Sequence, residues 1–389
     1  MALNAVREAI LLLAVASANG GISMRVIEPM LPRLATDFGI SISAAASVIT
    51  AYALGATIGT LAYGPLGDRF GKLRMATLAL FGAGIASLAC ALAPDIGSLA
   101  AFRLLTAIFG SSSMTLGMAY VGDRVSAAER QQVIARFVAG TVAGQSVGPL
   151  FGGLFTDLLG WRGALAFLGT IFIAVSAILL TRTRTQWCKE SRIDSAGNPF
   201  TAHLRLLAFP HVRYVLATAL ADTILFFGAY SFLGPFLKLK FDLSLTLIGV
   251  ILAGFGAGGV LYTMMVGPLL RRLGQPGLVS WGGAICCACF ALVTLSPVWQ
   301  IALPCTVGLG FSFYMLHNTV QTKATEMAPE ARGTAVSVYS AFWSMGQATG
   351  VAAMGLIIGF VPYTPAIIGF GCGFLLLGLW MRGNLQRLS

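Results

Sequence analysis

The stretch Gly64-Pro65-Leu66-Gly67-Asp68-Arg69-Phe70-Gly71 has a counterpart 203 residues later in the same chain, Gly267-Pro268-Leu269-Leu270-Arg271-Arg272-Leu273-Gly274. Matches at nearly the same offset occur in two other places. Agreement at three separated places is not expected by coincidence, so the sequence predicts two halves of similar structure. The other matches pair Pro32, Phe38 and Ser41 with Pro235, Phe241 and Ser244, and Gly144-Gln145 and Gly148 with Gly346-Gln347 and Gly350.

The composition is that of a membrane protein. Of the 389 residues, 57% are hydrophobic and 10% are charged, and the mean hydropathy is +0.83. A soluble domain carries about 25% charged residues, so a soluble chain of this kind would expose most of its apolar surface. The 47 glycines suit closely packed membrane helices, because small residues let two backbones approach each other.

Twelve apolar segments are each long enough to cross a bilayer, which takes about 20 residues per helix. We therefore predict an all-α membrane protein with twelve transmembrane helices in two pseudo-symmetric six-helix bundles and a binding site near the midplane between them. The bundles are residues 1–181 and 211–389, joined by a polar cytoplasmic linker, 182–210. The predicted spans are 9–31, 44–66, 75–93, 97–121, 132–156, 163–181, 212–236, 246–268, 278–296, 299–322, 333–359 and 364–381.

The positions of lysine and arginine predict the orientation. The termini and the loops on their side of the membrane carry nineteen of these residues, whereas the opposite loops carry four. Since positive charge stays on the cytoplasmic side, both termini are expected in the cytoplasm of a bacterial-type inner membrane. The net charge of +11 follows from this topology. No basic run is interleaved with exposed aromatic residues, so nucleic acid is not expected as a partner.

The first copy of the repeated stretch resembles a family signature. The segment from Gly64 to Arg74 is similar to the one between the second and third helices of the major facilitator superfamily, and it lies at the same place in the order of spans. The resemblance implies a cytoplasmic latch that controls alternating access, with Asp68 contacting the other half when the inside is closed. A tight turn with ordinary cytoplasmic charges is the structural alternative. The predicted latch residues are Gly64, Asp68, Arg69, Gly71, Lys72, Arg74 and Asp123; the second copy lacks the acid, so the latch should be asymmetric.

A glycine pattern in the fifth span narrows the resemblance. It is similar to the motif that marks proton-coupled antiporters, and the chain resembles the twelve-span drug-efflux and sugar-efflux transporters of bacteria. Small residues four apart form a flat groove for a neighbouring helix, and proline removes a backbone donor and allows a bend. Ordinary close packing is the alternative explanation. The residues of the pattern are Gly144, Gly148, Pro149, Gly152 and Gly153.

Asp222 is the first of four charged residues predicted inside the membrane, where each costs on the order of 3 kcal/mol on insertion scales. It lies about ten residues into the seventh span, and a rise of 1.5 Å per residue puts it near the midplane. Its counterpart in the first half is near Asn19, which cannot titrate. We interpret Asp222 as a candidate proton carrier. A permanently neutral or paired aspartate is the structural alternative.

The other three membrane charges lie nearer the outside. Arg25 and Glu28 are three residues apart on one predicted helix face, where they either neutralise each other or exchange a proton, with Arg25 tuning Glu28. Arg103 resembles the arginine that drug-efflux transporters carry in the fourth helix, which is implicated in proton coupling, although Ile108-Phe109-Gly110 lacks the glutamine of that pattern. We expect Glu28 to be its partner.

The cavity wall is predicted by analogy with the fold, in which the first, fourth, seventh and tenth helices line the path. Mostly aromatic and apolar side chains there favour amphipathic or lipophilic substrates. His317 is placed near the cytoplasmic end, where a role in gating or packing is as well supported as substrate contact. The predicted wall residues are Asn19, Met114, Phe226, Phe227, Tyr230, Phe311, Tyr314, His317 and Asn318.

We predict a transporter, not an enzyme, that exports small organic solutes in exchange for protons. Gly144-Gln145-Ser146-Val147-Gly148 fits a hydrolase motif, but Ser146 lies in the middle of a predicted helix. Cys286-Cys287-Ala288-Cys289 lacks a second ligand pair, so neither a metal site nor a cofactor is predicted. The expected partners are a small-molecule substrate, protons and the lipid bilayer, and the protein is expected to be monomeric. A proton-coupled importer or facilitator on the same fold remains the alternative, followed by a membrane-embedded lipid enzyme.

Overall fold

The computed structural model describes residues 2–184, Trp187, 205–328 and 332–385. The described chain is helical throughout, without a strand. Most of the predicted linker 182–210 lies outside the described residues. The first half contains α1 (Ala2–Arg25), α2 (Leu31–Phe38), α3 (Ile42–Ala45), α4 (Ser47–Phe70), α5 (Lys72–Ala91), α6 (Ile96–Gly110), α7 (Ser112–Arg124) and α8 (Ala127–Thr183), with a 3-10 turn, Glu28–Met30, between α1 and α2.

The described part of the second half forms six helices. It contains α9 (Pro210–Tyr230), α10 (Leu233–Phe241), α11 (Leu245–Leu295), α12 (Ala302–Glu326), α13 (Arg332–Ile357) and α14 (Tyr363–Asn384), with a 3-10 turn, Trp299–Ile301, before α12. The helices are fewer than in the first half because one long helix, α11, stands where the first half has the separate helices α3, α4 and α5.

Two of the helices are twice as long as one crossing requires. Nine stretches of the described chain are long and apolar enough to span a membrane, and two of them have 52 and 51 residues. These two are broken at Gly160 in α8 and at Gly274 in α11, where φ is +74° and +62°. Glycine adopts such angles without a Cβ clash. With both long stretches divided and the apolar 26-residue α13 included, the helices are consistent with the predicted twelve spans.

The glycines of the fifth span allow backbone contact with the first span, and the second half repeats the contact. A Cβ on Gly148 would lie 3.0 Å from the carbonyl oxygen of Ile22, and one on Gly350 would lie 2.8 Å from Cα of Ile224. Both glycines and both isoleucines are related by the same offset of 202 found in the sequence. The duplication therefore extends from the sequence to the packing of α1 on α8 and of α9 on α13.

The halves join at one end of the molecule, which we call the seam end: residues 38–46, 91–96, 157–162 and 241–246. There Oδ2 of Asp157 accepts from the backbone N–H of Thr246 at 2.8 Å and from its hydroxyl at 2.6 Å. Ser43 donates to the carbonyl oxygen of Gly355 at 2.5 Å. Ser43 and Thr246 are equivalent in the repeat, so the bonds that their two hydroxyls donate join the halves in a pseudo-symmetric way.

The opposite end, which we call the basic end, comprises residues 67–74, 124–130, 205–213 and 271–275. Here a separate hydrophobic cluster, including Leu73, Leu116 and Phe137, belongs to the first half alone. At the seam end, by contrast, one continuous core contains residues of both halves, such as Ile27 and Phe232. The halves therefore share a core at the seam end and separate toward the basic end.

Gly144→Ala should destabilise the protein, whereas Gly267→Ala should not. A Cβ on Gly144 would lie 2.9 Å from the carbonyl carbon of Ala18, but one on Gly267 meets nothing within 4 Å. Overpacking costs about 1–3 kcal/mol, while alanine in an open helical position gains about 0.5–1 kcal/mol over glycine. Thermal unfolding of the purified variants should show a lower midpoint for Gly144→Ala only; equal midpoints would contradict the backbone contact.

Candidate functional site

Three polar side chains from three helices meet inside the second half. Asp222 on α9 is wholly buried, and its Oδ2 lies 2.5 Å from Nδ1 of His317 on α12. Nε2 of the same ring lies 3.2 Å from the hydroxyl of Tyr339 on α13. A neutral imidazole with its proton on Nδ1 donates to the carboxylate and accepts from Tyr339. We call Asp222, His317 and Tyr339 the Asp–His–Tyr chain.

The Asp–His–Tyr chain lies in apolar surroundings, so a net charge on it is energetically costly. The His317 ring stacks on Phe313, with centroids 4.7 Å apart and an interplanar angle of 14°, and Trp343 lies edge-on at 6.4 Å. Oδ1 of Asp222 is buried without a hydrogen-bond partner. A buried carboxylate with an unpartnered oxygen is costly, and a proton on the carboxyl or on the imidazole reduces that cost. The arrangement can therefore hold a proton and pass it between Asp222 and His317.

The sequence predicts Asp222 as a proton carrier and His317 as a wall residue, without pairing them. The prediction of His317 near the cytoplasmic end is corrected by the structure, because its ring lies against the Asp222 carboxyl predicted at the midplane. A signal was available in the repeat: their counterparts at an offset of 203 are Asn19 and Met114, which do not titrate. Two titratable residues that replace non-titratable ones on neighbouring spans could have suggested the pair.

Arg25 and Glu28 form a buried ion pair, with Nη1 of Arg25 2.7 Å from Oε1 of Glu28. They do not share a helix face as predicted, because α1 ends at Arg25 and Glu28 begins the 3-10 turn. Oε2 of Glu28 has no hydrogen-bond partner. A Cβ on Gly234 of the second half would lie 2.9 Å from the Glu28 carbonyl oxygen, so the pair lies where the two halves meet.

Arg103 has a different partner from the one expected. Its guanidinium donates to the hydroxyl of Ser23 at 3.0 Å and to the carbonyl oxygen of Ser23 at 2.6 Å. Its Cζ lies 4.0 Å from the centroid of the Tyr52 ring. Glu28 is held by Arg25 instead, so the expected Arg103–Glu28 pair is corrected by the structure. Arg103 links α6 to α1 and α4 within the first half.

The predicted wall residues divide into a buried and a half-exposed group. Phe226, Phe227 and Tyr230 are wholly buried among other aromatic rings of the second half, so Phe226 is a core residue in this conformation. Asn19 is also buried, and its Nδ2 donates to the carbonyl oxygen of Leu168 at 3.1 Å. Met114 is 37% exposed. The half-buried candidates are Phe311, Tyr314 and Asn318.

The latch residues cluster at the basic end of the first half. Lys72 forms ion pairs with Asp68, at 3.5 Å, and with Asp123. Arg69 lies over the Phe70 ring at 5.2 Å, and Arg74 is exposed. These ion pairs lie within one half. The predicted contact of Asp68 with the other half belongs to a conformation closed at this end and stays a prediction.

Comparison with known proteins gives consistent matches along the chain. A family model described as the Major Facilitator Superfamily matches residues 12–330. The uncharacterized MFS-type transporter YwfA of Bacillus subtilis (strain 168) is 27% identical, covering 93% of this chain and 89% of the relative. The puromycin resistance protein pur8 of Streptomyces alboniger is 25% identical, covering 85% of this chain and 78% of the relative.

Solved structures share the fold. A bacterial homolog of the human lysosomal transporter Spinster, in an inward-facing and occupied conformation, matches with a TM-score of 0.77 at 19% identity, covering 98% of this chain and 97% of that one. The unoccupied inward-facing form matches with a TM-score of 0.75 at 18% identity, covering 99% and 95%.

Phe226→Ala should reduce stability more than Phe311→Ala. Phe226 is wholly buried, whereas Phe311 is half-buried. Truncating a buried phenylalanine to alanine costs about 3–5 kcal/mol, and a partly exposed one loses less. Thermal unfolding of the two purified variants measures the difference. A larger loss for Phe311→Ala would show that Phe226 is not part of the core.

Proposed function

The chain belongs to the major facilitator superfamily, and on that premise we propose that it is a secondary transporter that exports small amphipathic organic solutes in exchange for protons. The observation that carries the proposal is the Asp–His–Tyr chain. It places two titratable groups in direct contact inside the membrane-spanning part of the second half.

The orientation is compatible with loading of a solute from the cytoplasm, which export requires. The basic end carries most of the lysine and arginine residues in loops, so the positive-inside rule makes it cytoplasmic. The seam end then faces outward and is closed, and the protein is inward-facing with both termini in the cytoplasm. In this state a solute enters between the halves from the cytoplasm. Relatives matched along most of their length come from Bacillus subtilis and Streptomyces alboniger, which are bacteria, and this fits a location in a bacterial cytoplasmic membrane.

Proton exchange at the Asp–His–Tyr chain can bias the two states. The Asp–His–Tyr chain connects α9, α12 and α13. Helix α13 also packs on α4 of the first half, where the Thr57 hydroxyl donates to the carbonyl oxygen of Ala341 at 3.4 Å. Loss of the proton leaves Asp222 negative in apolar surroundings, which favours a rearrangement that hydrates it or pairs it. Protonation removes this demand. A solute that binds only the deprotonated form is then exchanged for a proton.

The walls nearest the opening favour amphipathic solutes. Met114, Phe311 and Tyr314 offer apolar surface, while Asn318 offers an amide. One relative is named a puromycin resistance protein, another a riboflavin transporter and a third a citrate exporter. These names cover unlike solutes, so they support transport of small organic molecules without selecting one.

Import and facilitated diffusion on the same fold are the alternatives to export. The three are distinguished by the direction of the proton gradient that makes the solute accumulate. In liposomes holding the purified protein, a proton antiporter accumulates its solute when the interior is acidic. A proton symporter accumulates it when the exterior is acidic, and a facilitator accumulates an uncharged solute in neither case. Riboflavin, which carries no net charge near neutral pH, is the first solute to test, because the ionisable puromycin and citrate redistribute across a pH gradient without coupling. Accumulation only with an acidic exterior would reverse the proposed direction.

Asp222→Asn should abolish coupling, whereas Glu28→Gln should retain it. Asparagine keeps the size of the side chain but cannot exchange a proton, so the solute-evoked pH signal should fall to that of protein-free liposomes. Glu28 is held by Arg25, so its loss should slow transport without removing coupling. The measurement is solute-evoked change of internal pH, followed with a trapped dye in liposomes.

Two outcomes contradict this assignment. Loss of the pH signal in Glu28→Gln alone would make Glu28 the carrier. Transport without proton movement in the wild type and both variants would remove the proton-coupled mechanism and leave a facilitator.

A further inference from the structure

The seam end places an arginine of the first half inside a ring of aromatic side chains of the second. Cζ of Arg25 lies 4.0 Å from the centroid of Phe227 and 6.0 Å from those of Tyr230 and Phe255. We call Phe227, Tyr230 and Phe255 the aromatic cage. All three rings are buried, so the guanidinium meets their faces with little competing water. Desolvated contacts of this kind are the stronger cation–π interactions.

We propose that the aromatic cage is a binding site for small organic cations and that Arg25 is its built-in occupant, which leaves when the seam opens. The inference rests on the transporter function above and specifies a substrate class for it. The ligand would carry a guanidinium or ammonium group on an apolar body. The cage already holds a cation of this chemistry, which is the observation that motivates the proposal.

The occupant and the cage belong to parts that must separate. Arg25 ends α1, and a Cβ on Gly148 of α8 would lie 2.7 Å from Cβ of Arg25. The base of the arginine side chain is therefore held against the first half. For the outside to open, the halves must part at the seam, and Arg25 moves with α1 and α8. Glu28 moves with it, because the two residues are three apart in the chain and joined at 2.7 Å.

The cage is built to persist after Arg25 has left. The Tyr230 hydroxyl donates to the carbonyl oxygen of Leu252 at 2.6 Å, which fixes α9 to α11. The Tyr230 and Phe255 centroids are 5.2 Å apart, and Phe227 packs against Phe313 at 5.3 Å. All of these contacts lie within the second half. Opening the seam therefore leaves three ordered ring faces without their cation.

This arrangement gives a release step. In the outward-facing state a cationic solute can occupy the vacated cage, where no carboxylate holds it because Glu28 has withdrawn with Arg25. Cation–π contacts alone bind it modestly. When the seam closes, Arg25 returns to the same ring faces and displaces the solute to the outside. Arg25 thus acts as a tethered competitor that opposes rebinding.

Binding to the purified protein tests the cage without requiring transport. Benzylguanidinium is the probe, and benzylurea is its uncharged analogue of nearly the same shape. Titration calorimetry compares the wild type with Arg25→Gln/Glu28→Gln, which empties the cage without leaving an unpaired charge. Benzylguanidinium should bind the double variant about tenfold more tightly than the wild type, and benzylurea should change less than about twofold.

Phe227→Leu in the double-variant background is the matched control. Leucine keeps the apolar character but removes the ring face nearest the cation, so the tenfold gain should disappear. If the double variant does not elute as folded protein, Arg25→Gln alone replaces it. Phe227→Leu added to Arg25→Gln must then weaken benzylguanidinium binding about tenfold. The attraction of Glu28 is present with and without Phe227→Leu, so it cannot account for that difference.

Three results would overturn the proposal: no gain for benzylguanidinium, an equal gain for benzylurea, or a gain that survives Phe227→Leu. Each would make the Arg25 contact simple packing at the seam. Intact proton-coupled transport alongside such a result would leave the proposed function standing. Conversely, cage binding in a protein that moves no protons would retain the site and remove only the coupling.

Discussion

The contact between the two halves at the seam end is the constraint on which the rest of the structure depends. Each six-helix half carries its own glycine-mediated helix contacts, and at this end one continuous core of described residues joins the halves. Hydrogen bonds from Thr246 to Asp157 and from Ser43 to Gly355 join the two halves. The Arg25–Glu28 ion pair is buried between the halves. The halves are closed against each other at the seam end and separate toward the basic end, so the buried charges of Arg25 and Glu28 lie at their junction.

The two halves share an architecture but differ in their buried polar residues. Gly148 and Gly350 occupy equivalent contacts and maintain the shared architecture. Asp222 and His317, in contrast, stand where the first half has Asn19 and Met114. Arg103 has no charged equivalent either, since Thr306 stands 203 residues later and donates to the carbonyl oxygen of Ile251. A duplicated scaffold can keep its packing while each half acquires separate polar groups.

The fold was largely predictable from the sequence, because span length, positive charge and a repeat are properties of the chain itself. The Arg25–Glu28 pair was also within reach, since its partners are three residues apart. The Asp222–His317 contact was not, because it joins residues 95 apart whose relative depth depends on how α9 and α12 pack. The dependence on helix packing also explains why the predicted partner of Arg103 was wrong and why Phe226 was predicted in the cavity wall. The rotation of a helix about its axis decides which face is buried.

We propose that Asp222 exchanges a proton while it is paired with His317. Isotope-edited infrared spectroscopy of the purified protein, with labelled aspartate, detects a protonated carboxyl directly and requires no knowledge of the substrate. We expect a carboxyl band that appears as the pH is lowered and disappears as it is raised, is absent in Asp222→Asn and shifts in titration when His317 is replaced by glutamine. A titrating band that remains in Asp222→Asn, or an Asp222 that keeps one protonation state at every pH at which the protein stays folded, would contradict proton exchange at this residue.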